Sequence, residues 1–166
     1  MKIGLLHQEK RPITRISDDL EFKGTLTSVQ RQIGDAVPIE LGKAIFKNLL
    51  NTLHKQHPTQ QVFHSLSLFS GSGGFDIAVE QVNQTSTASL NTFAAVEIEH
   101  DRCKTLKHYF GEELQVFETD ITKIDSAAIL NNCHLNRSDV SVIYGGPPCQ
   151  SFSQAGNRKA KGSLGN

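Results

Sequence analysis

Apolar residues recur every four positions at Leu41, Ile45, Leu49 and Leu53, flanked by Ala44, Phe46 and Leu50. That spacing predicts an amphipathic helix. Pro38 suits its first turn, and His54-Lys55-Gln56-His57-Pro58 ends it. Residues 1–33 are mixed, with turn signals at Ser17-Asp18-Asp19 and Lys23-Gly24. Beyond the helix the text alternates. Residues 62–69 read as a strand, and residues 74–82 as a helix carrying Phe75, Ala78, Val79 and Val82. A polar loop, 83–91, leads to a second strand at 92–96 and a second helix at 100–110. A short third strand at 115–118, a short helix near 126–130 and a fourth strand at 140–144 complete the series. Strands alternating with helices imply βαβ crossovers and a mostly parallel sheet covered on both faces. The expected class is α/β, doubly wound, in one domain.

Charge narrows the choice of partners. Seventeen basic and seventeen acidic side chains give zero formal net charge over 166 residues. A protein that holds nucleic acid unaided is usually basic, because neutralising phosphates supplies much of the affinity. Strong DNA binding by this chain alone is therefore not expected. The dense cationic stretch Arg158-Lys159-Ala160-Lys161 reads as a solvated tail. No apolar run approaches the length of a membrane span, and the first residues lack the apolar core of a signal peptide. Cys103, Cys133 and Cys149 are odd in number and match no zinc spacing, which suits a reducing, cytoplasmic setting. His54, His57 and His64 have no carboxylate or cysteine at ligand spacing, so no metal site is expected.

Three segments carry candidate chemistry. Phe69-Ser70-Gly71-Ser72-Gly73-Gly74-Phe75 lies between a strand and a helix. Glycines there let the backbone turn sharply and approach a ligand at the helix N-terminus. Glu97 ends the next strand, where a carboxylate can accept ribose hydroxyls. The spacing is not that of a dinucleotide loop, so a mononucleoside cofactor is expected. Asp120-Ile121 follows the third strand, where an acid can accept an adenine amine and an isoleucine can pack on the ring. Taken alone, an Asp in that position is most often a cap. Gly145-Gly146-Pro147-Pro148-Cys149-Gln150-Ser151-Phe152-Ser153 follows the fourth strand. A cysteine in a stiff Gly/Pro loop at the carboxyl edge of such a sheet reads as a nucleophile facing a cleft. Cys103, inside a helical pattern, and Cys133, in a polar stretch, read as packing.

In this order the motifs resemble the cytosine-C5 DNA methyltransferases, over about residues 62–158. Residues 69–75 look like that family's cofactor loop, Val96-Glu97-Ile98-Glu99 its ribose-binding strand end and Thr119-Asp120-Ile121 its adenine contact. Residues 146–153 are similar to its catalytic loop. The resemblance implies a Rossmann-like fold and S-adenosylmethionine as cofactor, leaving S-adenosylhomocysteine as product. It also implies Cys149 as nucleophile. Phe69, Gly71, Gly73, Gly74, Glu97, Ile98, Asp120, Ile121 and Pro148 are the implied cofactor pocket. In the complete enzyme, DNA is the substrate and the Cys149 thiolate attacks C6 of a flipped-out cytosine.

Phe22 to Pro38, with the helix after it, looks like the family's last motif, here placed before the cofactor loop. That order resembles a circular permutation. Residues 1–57 then form the permuted motif and helix, and 58–166 the cofactor and nucleophile part. The family usually has asparagine where this chain has Asp35, and an aspartate there would repel a cofactor carboxylate. No Glu-Asn-Val segment, Gln-x-Arg-x-Arg segment or target-recognition region is present. The expectation is a partial catalytic domain, as in a split restriction-modification enzyme. Alone it is expected to be inactive, with its fourth strand an open edge that pairs with a second polypeptide or with itself. Two alternatives stand beside this: a non-catalytic S-adenosylmethionine-binding or scaffolding subunit, and a tRNA-directed cytosine-C5 methyltransferase. Ser153, in place of threonine, leans toward DNA.

Overall fold

The computed structural model describes residues 20–147. The turn expected at Ser17-Asp18-Asp19, the residues Pro148 and Cys149, and the cationic stretch 158–161 lie outside the described residues. In chain order the elements are α1 (Leu26–Asp35), α2 (Ile39–Gln56), β1 (Val62–Leu68), α3 (Gly74–Asn83), β2 (Ser89–Glu97), α4 (His100–Phe110), β3 (Gln115–Glu118), α5 (Ser126–Asn132) and β4 (Val140–Gly145). The strands form one sheet in the order β3-β2-β1-β4. All three pairings are parallel. The chain winds outward from β1 in both directions, so the doubly wound class expected from the alternation, and the Rossmann-like fold that the resemblance implies, are what the structure has.

Side-chain alternation along β1 separates the two faces. Phe63 points into a core shared with Val29 and Ile33 of α1, Phe46 and Leu50 of α2, and Ile77 and Val82 of α3. Leu66 and Leu68 point the other way, against Phe93, Val96 and the α5 residue Ile129. The helix expected from the four-residue repeat is α2, two residues longer than its apolar stripe required. It lies close against α3: a Cβ on Gly42 would stand 2.7 Å from the Ala78 methyl carbon. The Phe46 ring packs edge-on against Phe75 at 5.7 Å and Tyr144 at 4.9 Å. The helix thus sits beside the central strands at the end bearing the glycine-rich loop.

Two elements differ from the sequence reading. Residues 26–35, read as mixed, form α1, whose N-cap Thr25 accepts a hydrogen bond from the Ser28 amide at 3.3 Å. Strand β2 begins at Ser89, three residues inside the expected polar loop. Asn83 makes that early start: its side chain donates to the Leu90 carbonyl at 3.0 Å and accepts from the Leu90 amide at 2.9 Å. Polar residues that look like loop are here clamping a strand end.

Between the sheet and α3 runs a chain of buried polar groups. Ser65 Oγ lies 3.0 Å from Thr92 Oγ1, which lies 2.9 Å from the Tyr144 hydroxyl. Tyr144 in turn donates to Asp76 Oδ1 at 2.9 Å. The other carboxylate oxygen, Oδ2, is buried with no hydrogen-bond partner. Burial pushes the Asp76 carboxyl up to about 6, against the opposing pull of the Ser67 and Tyr144 hydroxyls.

Candidate cofactor site

The glycine-rich loop is held in left-handed turns at Phe69 (φ 53°), Gly71 (φ 58°) and Gly73 (φ 87°). For Phe69 that conformation is uncommon, and strained backbone of this kind collects at binding sites. The turn closes through the Gly73 amide, which donates to the Ser70 carbonyl at 3.0 Å, and Gly73 then caps α3. A Cβ on Gly74 would stand 2.7 Å from the Val37 carbonyl oxygen, so only glycine lets residues 36–38 pass the loop.

Glu97 is buried at the end of β2. Its Oε2 accepts from the Gly71 amide at 2.7 Å, and its Oε1 accepts from the Ile98 and Glu99 amides at 2.9 Å each. The carboxylate therefore pins the glycine loop to the sheet. Of its roughly four acceptor positions about one, on Oε2, is left for a ligand hydroxyl.

Over these residues lies a cavity of about 580 Å³. Phe69, Gly71, Gly74, Glu97 and Ile98, five of the residues singled out in the sequence, all line it. Gly73 shapes the turn beneath. Gly146 and Pro147, which lead into the segment bearing Cys149, line it as well. Phe69 and Ile98 are 38% and 62% exposed, leaving apolar surface for a planar ring. Beside Gly71, the nearest neighbour a Cβ would meet is an Arg102 guanidinium nitrogen at 3.8 Å, leaving open space against the loop backbone. Apolar walls, a buried carboxylate with acceptor capacity and a side-chain-free backbone fit an adenosyl cofactor such as S-adenosylmethionine.

The profile of the C-5 cytosine-specific DNA methylases matches residues 63–164. The chain belongs to that family. It is 41% identical over 93 residues to the type II methyltransferase M.AquIA of Picosynechococcus sp., an alignment covering 56% of this chain and 35% of that protein. It is 37% identical over 91 residues to the type II methyltransferase M1.HphI of Haemophilus parahaemolyticus, covering 55% of this chain and 22% of the relative. The chain thus spans about a third or less of the length of these curated relatives.

Two of the residues that the resemblance assigns to the cofactor pocket make other contacts in this structure. Asp120 and Ile121 are not among the residues lining the cavity. Asp120 Oδ1 accepts from the Thr122 amide at 2.9 Å and the Thr122 hydroxyl at 2.8 Å, bonds that hold its carboxyl below the usual range. That is the capping role common for an Asp after a short strand. Ile121 packs with the α5-side core. The other cysteines are unsuited to nucleophilic work. Cys103 is fully buried, and burial, with the nearby Glu118 and Glu97 charges, pushes its thiol up to about 12. Burial also raises the Cys133 thiol. Among the described residues no three His, Cys, Asp or Glu side chains group to hold a metal, and no helix is long and apolar enough to cross a membrane.

Sequence reasoning passed over Gln32, the hub of the site. This residue is 1% exposed. Its Nε2 donates to the Lys23 carbonyl at 2.8 Å and the Ser28 hydroxyl at 3.3 Å. Its Oε1 accepts from Ser72 of the glycine loop at 3.1 Å and from Thr105 of α4 at 2.8 Å. One signal was available: a glutamine on the apolar stripe of α1, between Val29 and Ile33.

Proposed function

We propose that the chain is the cofactor-binding and nucleophile-bearing part of a DNA (cytosine-5)-methyltransferase of a restriction-modification system, working in the cytoplasm. The observation that carries this reading is the cavity itself. It joins the Glu97-pinned glycine loop to Gly146-Pro147 at the entrance of the Cys149 segment. Bound there, S-adenosylmethionine supplies an electrophilic methyl group. Gly71 and Gly74 give the cofactor backbone to lie on, Phe69 and Ile98 flank its adenine, and Glu97 accepts a ribose hydroxyl. Asp120, Ile121 and Pro148 complete the pocket in this proposal. Cys149 adds as thiolate to C6 of the target cytosine, which makes C5 nucleophilic toward the methyl group. Loss of the C5 proton and cleavage of the sulfur–C6 bond then restore the ring and the free thiolate.

The N-terminal segment supports the permuted order. Gln32 bonds to Ser72, and the Val37 backbone lies against Gly74. Helix α1 and residues 36–38 thereby brace the cofactor loop from a position that precedes it in the chain.

The 166-residue polypeptide is expected to bind S-adenosylhomocysteine without methylating DNA, since ring protonation and target recognition need groups that its sequence lacks. Ligand at about a hundred times its Kd should stabilise the native state by about 2.7 kcal/mol, read as a rise in Tm. No shift at saturating ligand refutes the cofactor site, and methyl transfer to DNA by the pure chain refutes the incomplete-enzyme reading.

Strand β4 pairs only with β1 among the described residues, and its Ile143 is 61% exposed. An apolar, uncharged edge of this kind recruits another strand. We assign it to pairing with a polypeptide that carries the remaining motifs. Sedimentation at micromolar concentration should show self-association of the lone chain, and mixing with that second polypeptide should replace it with a mixed complex. A monomer indifferent to the mixture refutes the assignment.

A further inference from the structure

Asp35 ends α1 at the rim of the cavity, and the sequence alone left its charge unanswered. In the fold it faces Arg102 of α4, whose Nη2 donates to Asp35 Oδ2 at 2.6 Å. Both side chains line the cavity, with Arg102 only 18% exposed and Asp35 54%. Among the described lining residues Arg102 is the only cation, set against Asp35, Glu97 and Glu99. Glu97 is committed to the backbone on three sides. Beyond Glu97, the charge in the cavity is a pair of opposite signs beside Gly71, with Glu99 the one further carboxylate among the described lining residues. A guanidinium has five N–H donors and a carboxylate about four acceptor positions, so their mutual bond leaves most of that capacity free.

We propose that the Asp35–Arg102 pair reads the zwitterionic amino-acid end of S-adenosylmethionine, Arg102 taking the carboxylate and Asp35 the ammonium group. Arg102 also answers the electrostatic objection to Asp35: the aspartate presents no net negative field to the incoming carboxylate while the guanidinium lies against it. An asparagine at position 35 would leave Arg102 unpaired, and an uncharged residue at position 102 would leave Asp35 repelling the ligand. The two charges belong together. Fork geometry favours arginine over lysine for a carboxylate.

The inference rests on the cavity being the cofactor site, and two ligands separate the two ideas. S-adenosylhomocysteine carries the amino-acid end, whereas 5′-methylthioadenosine has the same adenosine and a thioether without it. Calorimetric titration of the full chain should show that Arg102→Met weakens S-adenosylhomocysteine about 10-fold or more, with 5′-methylthioadenosine held within about twofold. Arg102→Lys should fall between, and Asp35→Asn should lose about threefold or more for S-adenosylhomocysteine alone. Retained binding of 5′-methylthioadenosine is the check that each variant is folded. The proposal is overturned if Arg102→Met leaves S-adenosylhomocysteine affinity unchanged or weakens both ligands equally. If the wild-type chain binds neither ligand, the cofactor site falls and this inference with it; if it binds both and only the variants disagree, the cofactor site stands.

Discussion

Gln32→Ala is expected to cost about 3–4 kcal/mol of unfolding free energy, a large part of what a domain of this size possesses. The wild-type amide uses both donors and its acceptor on four partners in a buried position. Truncation leaves the Lys23 carbonyl and the Ser72 hydroxyl short of a partner, at roughly 1 kcal/mol or more apiece, takes one bond from Thr105, which keeps those to Asp101 and Lys23, and adds a cavity. Gln32→Leu refills most of the volume and none of the bonds, so it should recover only the cavity part. The glycine loop would also lose its tie to α1, and S-adenosylhomocysteine should bind more weakly in both variants. Urea denaturation gives the first quantity and calorimetry the second. A loss below about 1 kcal/mol for the alanine variant contradicts the hub assignment.

Stability is expected to fall as pH rises from about 4 to about 6, and Asp76→Asn should abolish that fall. The folded carboxyl titrates at about 6, above its ordinary value of 3.8. Between those values the native state holds a proton that the unfolded chain has released, so raising pH favours unfolding. The contribution is fully present below pH 4 and gone above pH 6. Its size is about 3 kcal/mol, the free-energy equivalent of that displacement. Above pH 6 an ionised Asp76 is buried with one hydrogen bond, from Tyr144, and one bare oxygen. The asparagine amide keeps an acceptor for Tyr144 and carries no charge, so the variant should be the more stable protein at pH 7.5. Exposed carboxylates such as Glu21 and Asp120 titrate below their usual range and give slopes of opposite sign at lower pH. The difference between wild type and variant removes them. Parallel stability profiles for the two proteins from pH 4 to 7.5 would contradict the assignment.

The apolar pattern fixes α2, α4 and β1 nearly to the residue, because burial on one face imposes a period that any reader of the chain can count. The glycine loop and Glu97 are legible for a related reason: a left-handed turn needs glycine, and a carboxylate at a strand end needs donors close by in the chain. Helix α1 escaped because its stripe is interrupted by Gln32, whose burial makes sense only once Thr105, 73 positions away, stands opposite. Arg102 escaped likewise, since nothing in its neighbourhood along the chain marks it before the fold sets it 2.6 Å from Asp35, 67 positions earlier. Local chemistry alone could not place Asp120 either, since the same carboxylate serves a ligand or its own turn, and here its hydrogen bonds go to Thr122. Periodicity records which side of an element meets the core. Which polar groups then face one another is decided by the crossovers that bring distant turns to the same end of the sheet.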